Sequence, residues 1–321
     1  MSGIDVKRSS RMEQIKAMYG FSGFVYALDN CPSVNALTSD FTKMKAAGAR
    51  TVITFDECNK DGYYGGAVFN LSLFLKLDQH IFKIDVIKAA GSARMSIIPL
   101  VWTLCNPGQT WQSTVVPKIK QITQAVIGNP GPVLAVAMGD EPLFDHDAGD
   151  PSTLAKAIMQ MKSDFKNAGI PDIPVSISDM AYGWQSGGDV SSVVTAVDFF
   201  MINNFPYFGS KAESGGSDST WKSFTSDITY FQKMANGKPL LVTQTGWPSA
   251  KGEWSSNSKN VVVSVESSQG FWALLDSHCE DFFKKNNIGW MWRSWDDTIS
   301  GWGVLKSDGT KKWDFSAKQT C

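Results

Sequence analysis

Short apolar runs recur along the chain, and each is followed by a polar break. Eight such runs can be counted between Phe21 and the C-terminus: Gly23–Leu28, Arg50–Phe55, Met95–Trp102, Val133–Met138, Ile173–Ser178, Val197–Asn203, Pro239–Thr243 and Ile288–Trp292. Continuous apolar runs of this length are typical of strands that are buried on both faces of a parallel sheet. The pattern therefore predicts eight parallel strands.

Most of the segments between these runs have the apolar spacing of a helix. Val34–Gly48 carries such a stripe and ends at a glycine, and Pro151–Gly169 opens with Pro-Ser-Thr and ends on Asn-Ala-Gly. A helix between two parallel strands returns the chain for the next strand. Because no linker or repeat divides the chain, we predict one α/β domain over residues 21–321, a single (β/α)8 TIM barrel. Residues 1–20 are polar and charged, and predict an N-terminal tail rather than a signal peptide.

Composition narrows the range of partners. The 321 residues carry a net charge of −1, which gives no reason to expect nucleic acid or an anionic membrane as a partner. No apolar run reaches the roughly 18 residues that a membrane span needs. The chain contains 12 tryptophans, whose flat rings can cover the apolar face of a sugar. We therefore expect a neutral carbohydrate ligand and a monomeric protein.

Acidic and aromatic residues are concentrated where the predicted strands end. In a TIM barrel these positions converge on one face, where active sites are built. This concentration favours a catalytic face over a set of ordinary surface acids. The strand-end residues are Tyr26, Asp29, Asp56, Glu57, Trp102, Asp140, Glu141, Asp179, Asn203, Tyr207, Gln244, Trp247, Trp295, Asp296 and Asp297.

Two of these strand ends carry recognisable motifs. Thr243-Gln244-Thr245-Gly246-Trp247-Pro248-Ser249 and Gly139-Asp140-Glu141 resemble the two signature segments of glycoside hydrolase family 17, the β-1,3-glucan-active retaining hydrolases and transglucosylases. In that family the first segment usually reads Glu-Thr-Gly-Trp-Pro-Ser, with the glutamate as nucleophile. The second usually reads Gly-Asn-Glu, with the glutamate as acid/base. The resemblance implies that Glu141 is the acid/base and that Gln244 occupies the nucleophile position.

Further segments extend the resemblance over most of the barrel. Phe55–Asn59 is similar to the Asp-Cys-Asn that follows the family's second strand, and Val197–Phe208 is similar to its Val-Asp-Phe, Asn and Pro-Tyr-Phe sequence. The end of the last strand departs from the family, since Asp296-Asp297-Thr298 stands where fungal members commonly read Asp-Glu-Pro. From these matches and the strand-end positions we expect sugar contacts from Tyr26, Asp140, Asn203, Tyr207, Trp247, Trp295 and Asp296.

Glutamine at position 244 changes the expected activity. A neutral amide cannot form the normal glycosyl ester or stabilise the oxocarbenium charge as an ion would, so hydrolysis should be strongly impaired. Because glutamine keeps the volume of glutamate, the glucan should still bind. Either the glutamine replaces the glutamate of an active enzyme, or the protein is a natural non-catalytic carbohydrate-binding pseudoenzyme. A third reading is a glycosidase in which Asp56, Glu57 or Asp179 activates water across a gap of about 6.5–9.5 Å.

The remaining chemistry-bearing residues do not suggest a cofactor. The three histidines are isolated from one another, so neither a zinc-ligand spacing nor a Ser-His-Asp order emerges. We expect no metal and no cofactor. Five cysteines permit at most two intrachain disulfides, and the sequence does not fix their connectivity. The resemblance implies a secreted or cell-wall protein whose signal peptide has been removed, and the sequon Asn70-Leu71-Ser72 is compatible with this.

Overall fold

The computed structural model describes residues 9–55, 58, 86–315, 317–318 and 320–321. The predicted strand-end acids Asp56 and Glu57 and the sequon at Asn70 lie outside the described residues.

Nine parallel strands form one sheet. They are β1 Gly20–Ala27, β2 Thr51–Phe55, β3 Ser96–Ile98, β4 Leu100–Val101, β5 Val136–Asp140, β6 Val175–Met180, β7 Phe200–Asn203, β8 Leu240–Thr245 and β9 Gly289–Trp292. Their order in the sheet is β3-β2-β1-β9-β8-β7-β6-β5-β4. Strands β3 and β4 are two halves of one predicted run, divided at Pro99, which has no N–H to donate to a ladder. Because β3 pairs with β2 and β4 pairs with β5, the sheet closes into a barrel and the predicted (β/α)8 TIM fold is confirmed.

Helices connect most of the strands around the outside of the barrel. They are α1 Arg11–Lys16, α2 Val34–Ala46, α3 Val86–Ser92, α4 Val116–Gly128, α5 Pro151–Asn167, α6 Ala181–Ser186, α7 Ser191–Ala196, α8 Asp218–Met234 and α9 Val265–Ser277. The two helices predicted by spacing are α2 and α5, and each ends just before a glycine with positive φ. These are Gly48, at 100°, and Gly169, at 78°. A left-handed residue at this position is a common way to end a helix.

Alternation along the strands separates two apolar layers. On β1, Val25 and Ala27 belong to the cluster inside the barrel, whereas Phe24 and Tyr26 belong to the cluster between the sheet and the helices. Successive strand side chains point to opposite faces, so a strand-end residue reaches the barrel mouth only if it has the inward phase.

The described part of the segment predicted as a polar tail is ordered. Helix α1 begins at a capping box between Ser10 and Glu13, and Ile15 is buried with the inner barrel cluster. Arg11 donates hydrogen bonds to the backbone carbonyls of Pro130 and Val133, both at 2.6 Å. The structure therefore differs from the expected tail over these residues. The polar composition does not indicate this short helix, in which Ile15 is the buried residue.

Two disulfides join Cys31 to Cys58 and Cys279 to Cys321, and Cys105 is in neither bridge. Within the described residues, no helix combines the length and the apolar character that crossing a bilayer requires.

Candidate active site

The two neighbouring acids Asp140 and Glu141 lie where β5 becomes irregular. Gly139 has φ 102° and Glu141 has φ 55°, and the strand register shifts between Ala137 and Asp140. The backbone N–H of Glu141 donates to the carbonyl of Ser178 at 2.7 Å, which ties the end of β5 to β6. In a regular strand, adjacent side chains point to opposite faces. This irregularity instead lets both carboxyl groups reach one partner.

That partner is Asn203, at the end of β7. Its Nδ2 donates to Glu141 Oε1 at 2.9 Å and to Asp140 Oδ1 at 3.0 Å. Its Oδ1 accepts a hydrogen bond from Ser178 Oγ at 2.7 Å, which fixes the orientation of the amide. Asn203 is 1% exposed. The amide therefore holds the two carboxyl groups side by side at the carboxyl end of the barrel.

Gln244 reaches the same cluster from β8 and is fully buried. Its Nε2 donates to Asp140 Oδ1, and its Oε1 accepts from Arg293 Nη1 at 2.7 Å. A carboxylate only accepts hydrogen bonds and a guanidinium only donates them. These two partners therefore determine which end of the amide carries the nitrogen.

Arg293 follows β9 directly and is 6% exposed. Its guanidinium carbon lies 3.9 Å from the ring centroid of Phe55 and 4.9 Å from that of Trp254. Aromatic faces attract a cation, and the attraction grows when the cation is removed from water. Arg293 is not among the residues predicted from the sequence. The available signal was an arginine directly after β9, a strand with two tryptophans that ends at the barrel mouth.

The environment of Glu141 favours its protonated form. Burial and, second, the negative charge of Asp140 raise the pKa of Glu141 to about 8, against the opposing effects of Asn203 and Arg293. A carboxyl group that stays protonated at neutral pH can donate a proton to a leaving oxygen. The electrostatics thus suit Glu141 to general acid chemistry.

Asp179, at the end of β6, has a different place in the site. Its side chain is fully buried, and its carboxylate accepts the backbone N–H groups of Leu143 and Met180 at 2.7 and 2.8 Å. Burial, and then the charge of Glu141, raise its pKa well above the usual value. These bonds hold the turn that follows Glu141. They do not present Asp179 to a water molecule, contrary to the reading in which it activates one.

The structure brings together four of the nine expected site residues: Asp140, Glu141, Asn203 and Gln244. Tyr26 lies elsewhere, because it has the outward phase of β1. Its hydroxyl donates to Asp40 of α2 at 2.9 Å, and its ring packs edge-on against Phe41. A sugar contact from Tyr26 stays a prediction, which these contacts do not support.

The expected aromatic contacts are also mostly interior. Trp247 is fully buried and donates to the carbonyl of Val262 at 2.9 Å, so it offers no free face to a sugar ring. Tyr207 is 3% exposed, and its hydroxyl donates to the carbonyl of Trp254 at 3.2 Å. Trp295 is 4% exposed and packs on Phe24. These rings contribute to the packing around the site, and their contacts with a sugar stay predictions.

Asp296 belongs to the turn after β9. One of its carboxylate oxygens accepts the backbone N–H of Thr298 at 3.1 Å, and its backbone carbonyl accepts from Ser294 Oγ at 2.6 Å. These bonds stabilise the turn. A sugar contact from Asp296 stays a prediction.

Comparison with known proteins gives one family match. The model of the BtgE/BtgC glycoside hydrolase domain matches residues 79–300. A probable glucan endo-1,3-beta-glucosidase eglC of Aspergillus oryzae is 25% identical over 169 residues, which cover 49% of this chain and 34% of that protein. A probable glucan endo-1,3-beta-glucosidase btgC of Aspergillus fumigatus is 24% identical over 184 residues, which cover 55% of this chain and 25% of that protein. The matches thus span only a part of these curated relatives.

Solved structures share the fold. A glycoside hydrolase family 17 beta-1,3-glucanosyltransferase from Rhizomucor miehei superposes with a TM-score of 0.64 at 24% identity and covers 91% of this chain and 95% of that chain. An active-site mutant of the Rhizomucor miehei beta-1,3-glucanosyltransferase in complex with laminaritriose matches equally. CJP38, a beta-1,3-glucanase and allergen of Cryptomeria japonica pollen, superposes with a TM-score of 0.61 at 16% identity, over 92% of this chain and 98% of that chain.

Proposed function

Because the chain belongs to the BtgE/BtgC glycoside hydrolase domain family, we propose that it binds a β-1,3-linked glucan at the carboxyl end of its barrel. The scaffold is that of a retaining hydrolase or transglucosylase, with Glu141 as the acid/base and Gln244 at the position of the nucleophile. The names of the relatives support the substrate class, since they are glucan endo-1,3-beta-glucosidases.

One observation carries the assignment of the two positions. Glu141 from β5 and Gln244 from β8 belong to one hydrogen-bonded cluster, joined through Asn203 and Asp140 at a single end of the barrel. Retaining hydrolysis requires a proton donor and a nucleophile about 5–5.5 Å apart on opposite sides of the reacting sugar. Side chains from these two strands are suited to such an arrangement.

The glutamine limits the reaction. Glu141 can protonate the leaving oxygen, but the amide of Gln244 cannot attack the anomeric carbon as a carboxylate does. We therefore expect hydrolysis to be impaired by several orders of magnitude, while glucan binding is retained.

A second candidate is a natural carbohydrate-binding pseudoenzyme. Both ends of the Gln244 amide have partners of matching polarity, with Asp140 at the nitrogen and Arg293 at the oxygen. A site that fits glutamine in this way favours a natural residue over one that replaces a glutamate in an unchanged site.

The family resemblance also supports a location outside the cell or in the cell wall. The two disulfides support this location, because disulfides persist in oxidising compartments. The monomeric state remains a proposal, as does the absence of a nucleic-acid partner, which follows from the net charge of −1.

Calorimetry with laminaripentaose tests the binding, and cellopentaose is the control ligand of the same length. Product analysis on laminarin tests hydrolysis and transfer. Specific binding of laminaripentaose with turnover far below the usual 1–1,000 per second supports the proposal. Failure to bind any laminari-oligosaccharide would contradict the substrate class. Turnover at ordinary rates would contradict the expected impairment.

A further inference from the structure

The polarity of the Gln244 amide determines where the charge of the barrel mouth resides. Reversing the amide would place its oxygen against Asp140 and its nitrogen against Arg293, which are two repulsive contacts in place of two hydrogen bonds. Asp140 Oδ1 accepts amide N–H groups from both Gln244 and Asn203. The carboxylate of this cluster therefore stands at position 140, and the amide stands at position 244.

We propose that Asp140 is the positioning residue that matches this site to glutamine at position 244, so that a working carboxylate at 244 requires an amide at 140. The inference rests on the proposed function, because it concerns the nucleophile position of that reaction. The side chain at position 244 donates a hydrogen bond to the side chain at position 140. If position 244 becomes an acceptor, position 140 must become the donor.

A single Gln244→Glu substitution would put two carboxyl groups at hydrogen-bonding distance in a buried site. Two such groups do not both ionise readily, and the pair retains one proton. The surrounding groups set its titration: Arg293 favours ionisation, whereas Asp145, Asp147 and Asp179 oppose it, as Glu141 does when it is ionised. The carboxylate introduced at 244 has a hydrogen-bond donor at position 140 only while Asp140 holds the proton. When both groups are ionised they repel each other and the nucleophile loses its position, so the activity of this variant should fall as pH rises.

The double substitution Asp140→Asn with Gln244→Glu removes this conflict. The asparagine amide introduced at position 140 can donate to the carboxylate at 244, and Arg293 can donate to the other oxygen of that carboxylate. The hydrogen bond between the two positions is kept with its direction reversed. The cluster keeps the same number of acids as the natural chain.

The test compares four proteins: the natural chain, Asp140→Asn, Gln244→Glu and the double variant. Laminarin hydrolysis is measured from pH 4 to pH 8, together with laminaripentaose binding and Tm. We expect the kcat of the double variant to exceed that of Gln244→Glu by up to about tenfold for each pH unit above the titration of the pair, because the fraction of molecules with the proton on Asp140 falls by that factor. The ratio should narrow toward 1 as pH falls below that titration. Asp140→Asn alone should stay inactive, since it has no carboxylate at 244.

The thermal readout is independent of catalysis. At pH 7 the Tm of Gln244→Glu should fall by several degrees, and the added Asp140→Asn substitution should recover most of that loss. Equal pH profiles and equal Tm values for Gln244→Glu and the double variant would overturn the inference. Loss of laminaripentaose binding by the natural chain would instead overturn the proposed function, so the two failures are distinguishable.

Discussion

Arg293 is the residue on which the charge balance of the barrel mouth depends. It donates to Gln244 and packs against the rings of Phe55 and Trp254, and its positive charge lowers the pKa of Glu141 against the effect of burial. Removing it would leave the Gln244 oxygen buried without this donor. It would also leave the neighbouring acids without this cation, so both the fold and the titration of the site should respond.

We expect Arg293→Met to reduce the free energy of unfolding at pH 7 by about 1–3 kcal/mol, the usual cost of leaving a buried acceptor such as the Gln244 oxygen without its donor. Arg293→Lys is the matched control. It keeps the charge but loses the planar fork, so it should cost less. Urea unfolding of both variants provides the measurement. A methionine variant as stable as the natural chain would contradict this role.

The raised pKa of Glu141 makes stability depend on pH in a definite direction. The ordinary value is 4.5 and the folded value is about 8, so the unfolded chain releases a proton in this window that the native protein retains. Stability is therefore lost as pH rises from 4.5 to 8, by at most about 1.4 kcal/mol per pH unit.

Glu141→Gln should remove this contribution. We expect its Tm to fall less steeply than that of the natural chain between pH 5 and pH 8, and to lie a few degrees higher at pH 7. Calorimetry at pH 5, 6, 7 and 8 compares the two. Asp147 titrates in both proteins, whereas Asp179 loses the effect of the Glu141 charge on its pKa in the variant, so the difference between the curves reports Glu141 together with its coupling to Asp179. Parallel curves would show that Glu141 does not titrate abnormally.

At the scale of residues, sequence reasoning succeeded where a polar residue lies at a strand end and its side chain points into the barrel. Asp140, Glu141, Asn203 and Gln244 lie at the ends of strands and meet in the structure. It is not decisive where the accessibility of a side chain determines its role. Residue type alone does not tell whether an aromatic ring faces the ligand or the core. Trp247, for example, comes just after the end of β8 and is fully buried.

At the scale of elements, apolar runs predicted all eight positions of the barrel wall, but not their bounds. The run Val133–Met138 becomes β5 only at Val136, because Val133 pairs with Ile97 in an isolated bridge, in which the backbone N–H of Leu134 donates to the carbonyl of Ile97. The third run is divided at Pro99. The hydrogen-bond partners on the neighbouring strands determine where each strand begins and ends. The hydrophobic pattern does not predict those partners.

Helix α6 packs against the turn that follows Glu141. The contact is made at Gly183, which has no side chain. A Cβ on Gly183 would lie 2.2 Å from Asp179 Oδ1 and 2.9 Å from the backbone N of Phe144. Asp179 in turn holds Leu143. Gly183 therefore lets the helix approach the turn closely enough for Asp179 to bond it.

We expect Gly183→Ala to lower the free energy of unfolding by about 2 kcal/mol or more, because backbone and a buried carboxylate must move. Gly128→Ala is the control, since a Cβ there would meet no described atom within 4 Å; it should be neutral or stabilising by up to about 1 kcal/mol. Thermal unfolding of both variants tests this. Equal, small effects would show that the turn adapts freely.

At the scale of the whole molecule, strand count and signature motifs together led to the correct family class. The expected resemblance to glycoside hydrolase family 17 is confirmed as a family 17-like assignment by the BtgE/BtgC domain match. The disulfide connectivity could not be predicted, because Cys279 and Cys321 are 42 residues apart and meet only through the fold. The hydrophobic pattern also missed α1, whose six residues bury a single isoleucine.

The bridge between Cys279 and Cys321 fastens the C-terminal segment to the aromatic cluster around α9. In that segment, Phe315 packs 4.9 Å from Trp272, measured between ring centroids. Cys279 itself is 3% exposed. Closing a loop of this length removes conformations from the unfolded chain and stabilises the native state. The bridge should therefore stabilise the segment in addition to the packing of Trp313 and Phe315 in the core.

Replacing both cysteines of this bridge with serine should reduce the free energy of unfolding by about 2–4 kcal/mol, which corresponds to a Tm several degrees lower. Cys105→Ser is the matched control, because that thiol is in neither bridge; its effect should stay within about 0.5 kcal/mol. Calorimetry with and without reductant provides the measurement. Reductant should lower the Tm of the Cys105→Ser protein as it does that of the natural chain, and should lower that of the double serine variant less, through the Cys31–Cys58 bridge alone. An unchanged Tm in the double variant would show that aromatic packing alone holds the segment.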